Sequence, residues 1–174
     1  MSQRNKRLDA HTGRVLILLR YFGPTADKPL EGLTKLAKLD FLLRYPVFTE
    51  RVLAARGDSW MLGTQPTEDE EKAVESRMVR YKYGPWDDRY YPILGGLVGM
   101  GLVDLTKKGR TLVMCLTTEG ASVASALAAE DEWTQEDLRA LFLHSQFNVT
   151  GSKLKTMIYT ELPDVVDRPL RTVI

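Results

Sequence analysis

Apolar positions recur at helical spacing through the first third of the chain. Between Thr12 and Phe22, residues Val15, Leu16, Leu18, Leu19 and Phe22 form a wide apolar face, which Gly23-Pro24 closes. After a polar connector from Thr25 to Pro29, Leu33, Leu36, Leu39 and Leu43 line one side of a second helix, with Lys35, Lys38 and Arg44 turned elsewhere. That helix ends before Pro46. A short third helix is predicted from Phe48 to Ala55, closed by Gly57. Asp58 to Gln65 reads as a loop, and Thr67-Glu68-Asp69-Glu70 behind Pro66 is a capping box that opens another helix. Met78 to Tyr83 alternates too weakly to separate a last helical turn from a short strand.

The pattern then changes period. Tyr83-Gly84-Pro85-Trp86-Asp87-Asp88 has turn chemistry, with two carboxylates placed to cap a helix and Pro85 near its first turn. Ile93, Leu94, Leu97 and Val98 carry that helix to Gly99 and Gly101. Leu102 to Leu105 and Thr111 to Leu116 read as strands joined by the turn Lys107-Lys108-Gly109-Arg110. Thr118 is expected to cap a following helix with Val123, Ala124 and Leu127. Helix, hairpin, Leu-Thr-x-x-Gly and helix is the order of a winged helix. Thr134-Gln135-Glu136-Asp137 caps a helix carrying Leu138, Leu141 and Phe142, and Thr150-Gly151-Ser152 starts another with Leu154, Met157, Ile158 and Leu162. The expected fold is mainly α with a small β-hairpin wing, a winged-helix domain elaborated by N- and C-terminal helices. Its single domain divides into N-terminal helices (1–57), a connecting loop and helix (58–82), a winged-helix core (83–130) and C-terminal helices and tail (131–174). The apolar tail after Asp164 is expected to dock either on the body or on a partner.

Composition narrows the function classes. The 174 residues suit one domain able to bury about two thirds of its unfolded surface. The single cysteine, Cys115, excludes a disulfide framework within one chain and fits a reducing cytoplasm. The polar start Met1 to Arg7 and the lack of a long apolar run predict no leader and no membrane anchor. With 24 basic and 23 acidic residues the net charge is +1, so attraction to DNA has to come from local patches. His11 and His144 belong to no ligand pattern, so no metal is expected, and neither sits in a nucleophile motif. Gly95-Gly96-Leu97-Val98-Gly99-Met100-Gly101 lacks the Gly-Lys-Ser/Thr of a phosphate loop and lies after a helix instead of a strand. It reads as packing and capping glycine. No catalytic residue and no cofactor are assigned.

The informative surface chemistry is a mixture of cations and aromatics. Arg77, Arg80, Lys82, Trp86, Arg89 and Tyr90 precede and enter the helix of the predicted winged-helix core, and Lys107, Lys108 and Arg110 cluster at the hairpin tip. Such residues suit a protein hot spot, stacked bases or phosphate contact. Against a major-groove role, Asp87 and Asp88 set negative charge at the end of the helix that would enter the groove. Protein contact and double-stranded DNA contact both stay open.

Two resemblances follow from the residues. Arg110 to Leu127, with Leu116-Thr117-Thr118-Glu119-Gly120, resembles the wing-to-helix junction of many bacterial winged-helix regulators. Over most of the chain, the run Leu33 to Pro46, the run Val79 to Trp86, and Gly151-Ser152-Lys153-Leu154-Lys155 with Ile158-Tyr159 resemble the middle component of bacterial three-component ABC-ATPase systems, including Lamassu-type defence. That resemblance implies a small non-catalytic subunit between an ATPase of the structural-maintenance-of-chromosomes (SMC) type and a separate effector, often a nuclease, in anti-phage or anti-plasmid immunity. The alternative expectation is a dimeric winged-helix transcription regulator.

Overall fold

The first apolar run folds as α1, Ala10–Phe22, with the Asp9 carboxylate accepting the Thr12 N–H at 2.8 Å as its N-cap. Val15 to Leu19 are all fully buried, and a helix that is apolar nearly all round belongs in the centre of a bundle. The other elements pack around it. The computed structural model describes residues 9–72, 79–81 and 84–166.

Leu30–Glu31 forms the two-residue strand β1, followed by α2, Leu33–Arg44, and α3, Pro46–Ala55, with Pro46 at the first helical position, where its missing N–H costs nothing. The acidic helix α4, Glu68–Lys72, starts with the expected capping box: Thr67 N–H donates to Glu70 Oε2 at 2.9 Å, and Glu70 N–H donates to Thr67 Oγ1 at 3.2 Å. Arg139 then grips Glu70 with both guanidinium nitrogens at 2.6 and 2.7 Å and also donates to the carbonyls of Thr64 and Gln65. These bonds hold Glu70 down to about 2 and fix the loop before α4 to the body.

Val79–Tyr81 (β2) pairs antiparallel with Gly84–Trp86 (β3), Val79 standing opposite Trp86. Helix α5, Tyr90–Gly99, leads into the hairpin of β4, Val103–Lys108, and β5, Thr111–Leu116, which register Val103 against Leu116 and Lys108 against Thr111. The two-residue connection uses Gly109 at φ 64°, where a side chain would be strained. β1 joins β5 with Leu30 opposite Met114, giving a three-stranded antiparallel sheet of order β1-β5-β4. Helix α6, Thr118–Ala128, follows at once. A methyl group on Gly120 would overlap the Leu102 carbonyl oxygen, so the glycine lets α6 close onto the chain leaving α5. A short 3-10 turn, Asp131–Trp133, precedes α7, Thr134–Phe147, then α8, Gly151–Glu161, and α9, Pro163–Val166. The result is a mainly helical protein with one small three-stranded sheet and a separate strand pair.

Several local expectations are corrected. Pro85 lies in β3 and not in a helical turn, and α5 begins at Tyr90 with Arg89 at the cap position, where its side chain makes no capping bond. Asp87 bonds instead to the Arg89 N–H at 2.9 Å and to its guanidinium, because burial demands a cation for that carboxylate. The cap of α6 is Thr117, whose hydroxyl accepts the Gly120 N–H at 2.9 Å; Thr118 is already helical. No side chain caps α7, and Asp137 reaches back to Arg20 and Tyr21. Leu138 and Leu141 face solvent while Ala140, Phe142, Leu143 and Phe147 are buried, so α7 packs on a different side from the expected one. Residues 78 and 83, and the tail from 167, lie outside the described residues.

Candidate functional site

Helix α5 has two unlike faces. Tyr90, Ile93, Leu94 and Leu97 point into the core, at the i, i+3, i+4, i+7 positions of one stripe. Tyr91, Pro92, Gly95, Val98 and Met100 occupy the opposite side, with Tyr91 60% and Val98 42% exposed. A Cβ added at Gly95, Gly96 or Gly99 would meet nothing, so the backbone itself lies open on that side. No charged residue occurs from Tyr90 to Val103. Leu105, on the strand packed beside α5, adds a partly exposed side chain. The exposed side of α5 is thus uncharged, rich in glycine, and carries Tyr91, Val98 and Met100.

Beneath this face a sealed charge cluster ties α5 to the central helices. Tyr90 is fully buried, and its hydroxyl donates to Asp40 Oδ2 at 2.6 Å. Asp40, on α2 and also fully buried, meets Arg14 Nε at 3.4 Å and His11 Nε2 at 3.3 Å from α1. The other imidazole nitrogen of His11 is 3.5 Å from Asp87 Oδ2, which also takes Arg44 at 3.1 Å and Arg89 at 2.8 Å. Burial would raise the Asp40 carboxyl, but His11, Arg14 and Arg44 outweigh it and hold it below its ordinary value. Burial likewise opposes ionisation of Asp87, and Arg89 and His11 still bring it to about 2. Burial and the Asp40 charge push Tyr90 well above its usual value, so the phenol keeps its proton and donates it in a hydrogen bond. Asp40 and Tyr90 have zero exposure and His11 has 3%. Their arrangement makes a clamp between α1, α2 and α5. Among the described residues no group of three His, Cys, Asp or Glu side chains is placed to hold a metal ion.

The residues singled out in the sequence therefore separate into different places. Tyr90 belongs to the clamp and offers no surface. Arg89 is partly exposed but committed to Asp87. Trp86 is half-buried, edge-on to Tyr90 at 5.5 Å, with its indole N–H donating to Asp88. Trp86, Tyr91 and Arg110 together line a cleft of about 360 Å³ with Thr111 and the start of α2. Lys107 and Lys108 project from the hairpin end, Lys108 Nζ standing 3.4 Å from Glu31. Arg80 is placed by the backbone on β2, and Arg77 and Lys82 lie outside the described residues.

Sequence reasoning missed His11, Arg14, Asp40 and Arg44. Their signal was present: a His-x-x-Arg pair opens the deeply buried helix α1, and Asp40 sits between Leu39 and Phe41 with Arg44 one turn on. A charge at the centre of an apolar stripe needs a buried counter-charge. No helix among the described residues is long and apolar enough to cross a membrane. The chain matches no protein-family model, no curated protein and no solved structure.

Proposed function

We propose that the chain is a winged-helix accessory subunit of an SMC/ABC-type ATPase complex that acts with a separate effector, often a nuclease, in bacterial anti-phage and anti-plasmid defence. The observation carrying this reading is the exposed, uncharged face of α5, whose first residue, Tyr90, is anchored to Asp40 from behind. Exposed aromatic and apolar side chains such as Tyr91, Val98 and Met100 suit protein hot spots. The order α5, hairpin, α6, with the Leu116 to Gly120 step closing onto Leu102, supports the winged-helix part. The motifs of α2 and α8 support the resemblance to the middle components of three-component systems.

The DNA-binding regulator is the weaker reading. A recognition helix reads base edges through hydrogen-bonding side chains, and Pro92, Gly95, Gly96, Val98 and Gly99 have none. In the accessory role the subunit works by population shift: nucleotide or DNA engagement by the ATPase changes the surface offered to α5, and the effector is released or assembled accordingly.

The test is co-purification of the tagged chain from its native host through a high-salt wash. Wild type is expected to retain a P-loop ATPase of coiled-coil build, and Val98→Arg, which alters only the exposed face, is expected to lose it with an unchanged melting temperature. Recovery of the wild-type chain alone, or equal retention by Val98→Arg, refutes the reading.

A further inference from the structure

A groove runs from the Trp86 and Tyr91 cleft along the first turns of α2 and α8. Two further clefts, of about 340 and 490 Å³, continue the first one, and Thr111 lines all three. The middle cleft shares Gly32 and Thr34 with the first and Lys35 and Gly151 with the third, so the three have common walls. The two ends differ in chemistry. One carries flat aromatic surface, with Tyr91 60% exposed and its ring 6.2 Å from that of Trp86, and Arg110 beside them. The other carries Lys35, Lys153 and Lys155 with the hydroxyls of Thr34, Thr150 and Ser152.

Local folding concentrates positive charge in this groove. The first turns of α2 and α8 meet there, since a side chain on Gly151 would press to 3.2 Å from the Lys35 backbone nitrogen. Both helices thus bring the positive ends of their dipoles to walls that already hold lysines. Glu31 is the one carboxylate among the described residues lining these clefts, and Lys108 stands beside it. Burial, with the Lys155 charge adding to it, brings Lys38 down to about 7. Burial and the Lys35 charge also lower His144.

From this geometry we infer that the groove binds single-stranded nucleic acid, its phosphates lying over Lys35, Lys153 and Lys155 and one base resting on Tyr91 beside Trp86 and Arg110. The occupant is extended because the three clefts share walls end to end. It is polyanionic because four cations face one carboxylate. It is a strand and not an acidic peptide because one end offers rings and a guanidinium, which stack on bases. In a duplex the base faces are covered by their neighbours, and Tyr91 would have nothing to stack on. Binding of this kind needs no ATPase partner, and its test uses the chain alone.

The test is fluorescence anisotropy of the full chain with a labelled oligothymidylate of about twelve nucleotides, within the range of single-strand site sizes, over a series of salt concentrations. Three phosphate contacts predict a log–log salt slope of about −2. Arg110→Glu with Lys153→Glu, both exposed and away from the clamp, is expected to weaken binding at least about tenfold and flatten the slope. Tyr91→Ala is expected to weaken binding while leaving the slope in place, because stacking releases no counterions. Circular dichroism of each variant confirms its fold. Absence of binding by wild type at low salt overturns the inference. So does a slope unchanged by the charge reversals, or a duplex of equal length or polyglutamate binding as tightly as the single strand.

Discussion

Lys38 sits on α2 with 1% of its surface exposed, and replacing it by methionine is expected to stabilise the protein. Burial, with the Lys155 charge adding to it, lowers the ammonium from 10.5 to about 7 in the folded chain. The folded state therefore binds fewer protons than the unfolded state between those two values. A base with a depressed folded pKa destabilises most below its folded value, and that cost disappears as pH rises toward its unfolded value. Holding such a base unprotonated costs about 1.4 kcal/mol for every pH unit below its unfolded pKa, so at neutral pH the burial of Lys38 costs about 4 kcal/mol. Methionine has a similar length and no charge, and fits irregular core space with little strain. The ammonium's own contacts are lost in the exchange, so a net gain of about 2 kcal/mol or more is expected, or about 4–8 °C in melting temperature for a chain of this size. Urea unfolding of both proteins from about pH 6 to about pH 9 measures it. Wild-type stability should climb relative to Lys38→Met above neutral pH, by up to about 1.4 kcal/mol for each further pH unit. A pH-independent difference between the two proteins, or a less stable Lys38→Met, would refute the reasoning and mean that the lysine is charged and fully compensated.

Two further substitutions probe the fold. Tyr90→Phe keeps the ring against His11 and Trp86 but removes the 2.6 Å bond to Asp40, and is expected to cost about 2 kcal/mol, the range for a hydrogen bond to a charged partner. Equal chemical-denaturation midpoints for Tyr90→Phe and wild type would show that the clamp contributes nothing through this contact. Gly120→Ala places a methyl against the Leu102 carbonyl, backbone that cannot turn away as a side chain would, and is expected to cost about 3 kcal/mol or more. A thermal melt indistinguishable from that of wild type would mean that α6 slides freely on the sheet.

What was legible in the sequence is what short-range physics controls. The spacing of Leu33, Leu36, Leu39 and Leu43 located α2, the Thr67 to Glu70 box located α4, and Lys107-Lys108-Gly109-Arg110 located the hairpin end. What stayed hidden depends on which surfaces meet. Asp40 bonds to Tyr90 fifty residues on, and Asp87 turns inward to His11 and Arg44 when its place in the chain reads as a helix cap. The two-residue strand β1 has no pattern of its own and exists because β5 presents an edge to Leu30. Lys35, Lys153 and Lys155 read as ordinary solvated positions on two amphipathic helices. Only the meeting of the first turns of α2 and α8 brings them into one groove.

The pairing of Leu30–Glu31 with Val113–Met114 has a consequence for how this chain can be divided. The hairpin borrows a strand from the first quarter of the sequence, and α5 borrows its counter-charges from α1 and α2. A fragment starting at Tyr83 would bare the outer edge of β5 to any passing strand and leave Asp87 buried opposite no histidine and no Arg44. The segment is thus not a cassette that recombination could move intact into another protein. An insertion is expected to be better tolerated at an exposed tip such as Leu62, which is 90% exposed. Variation among relatives of this chain should collect at such tips, while its two halves change together.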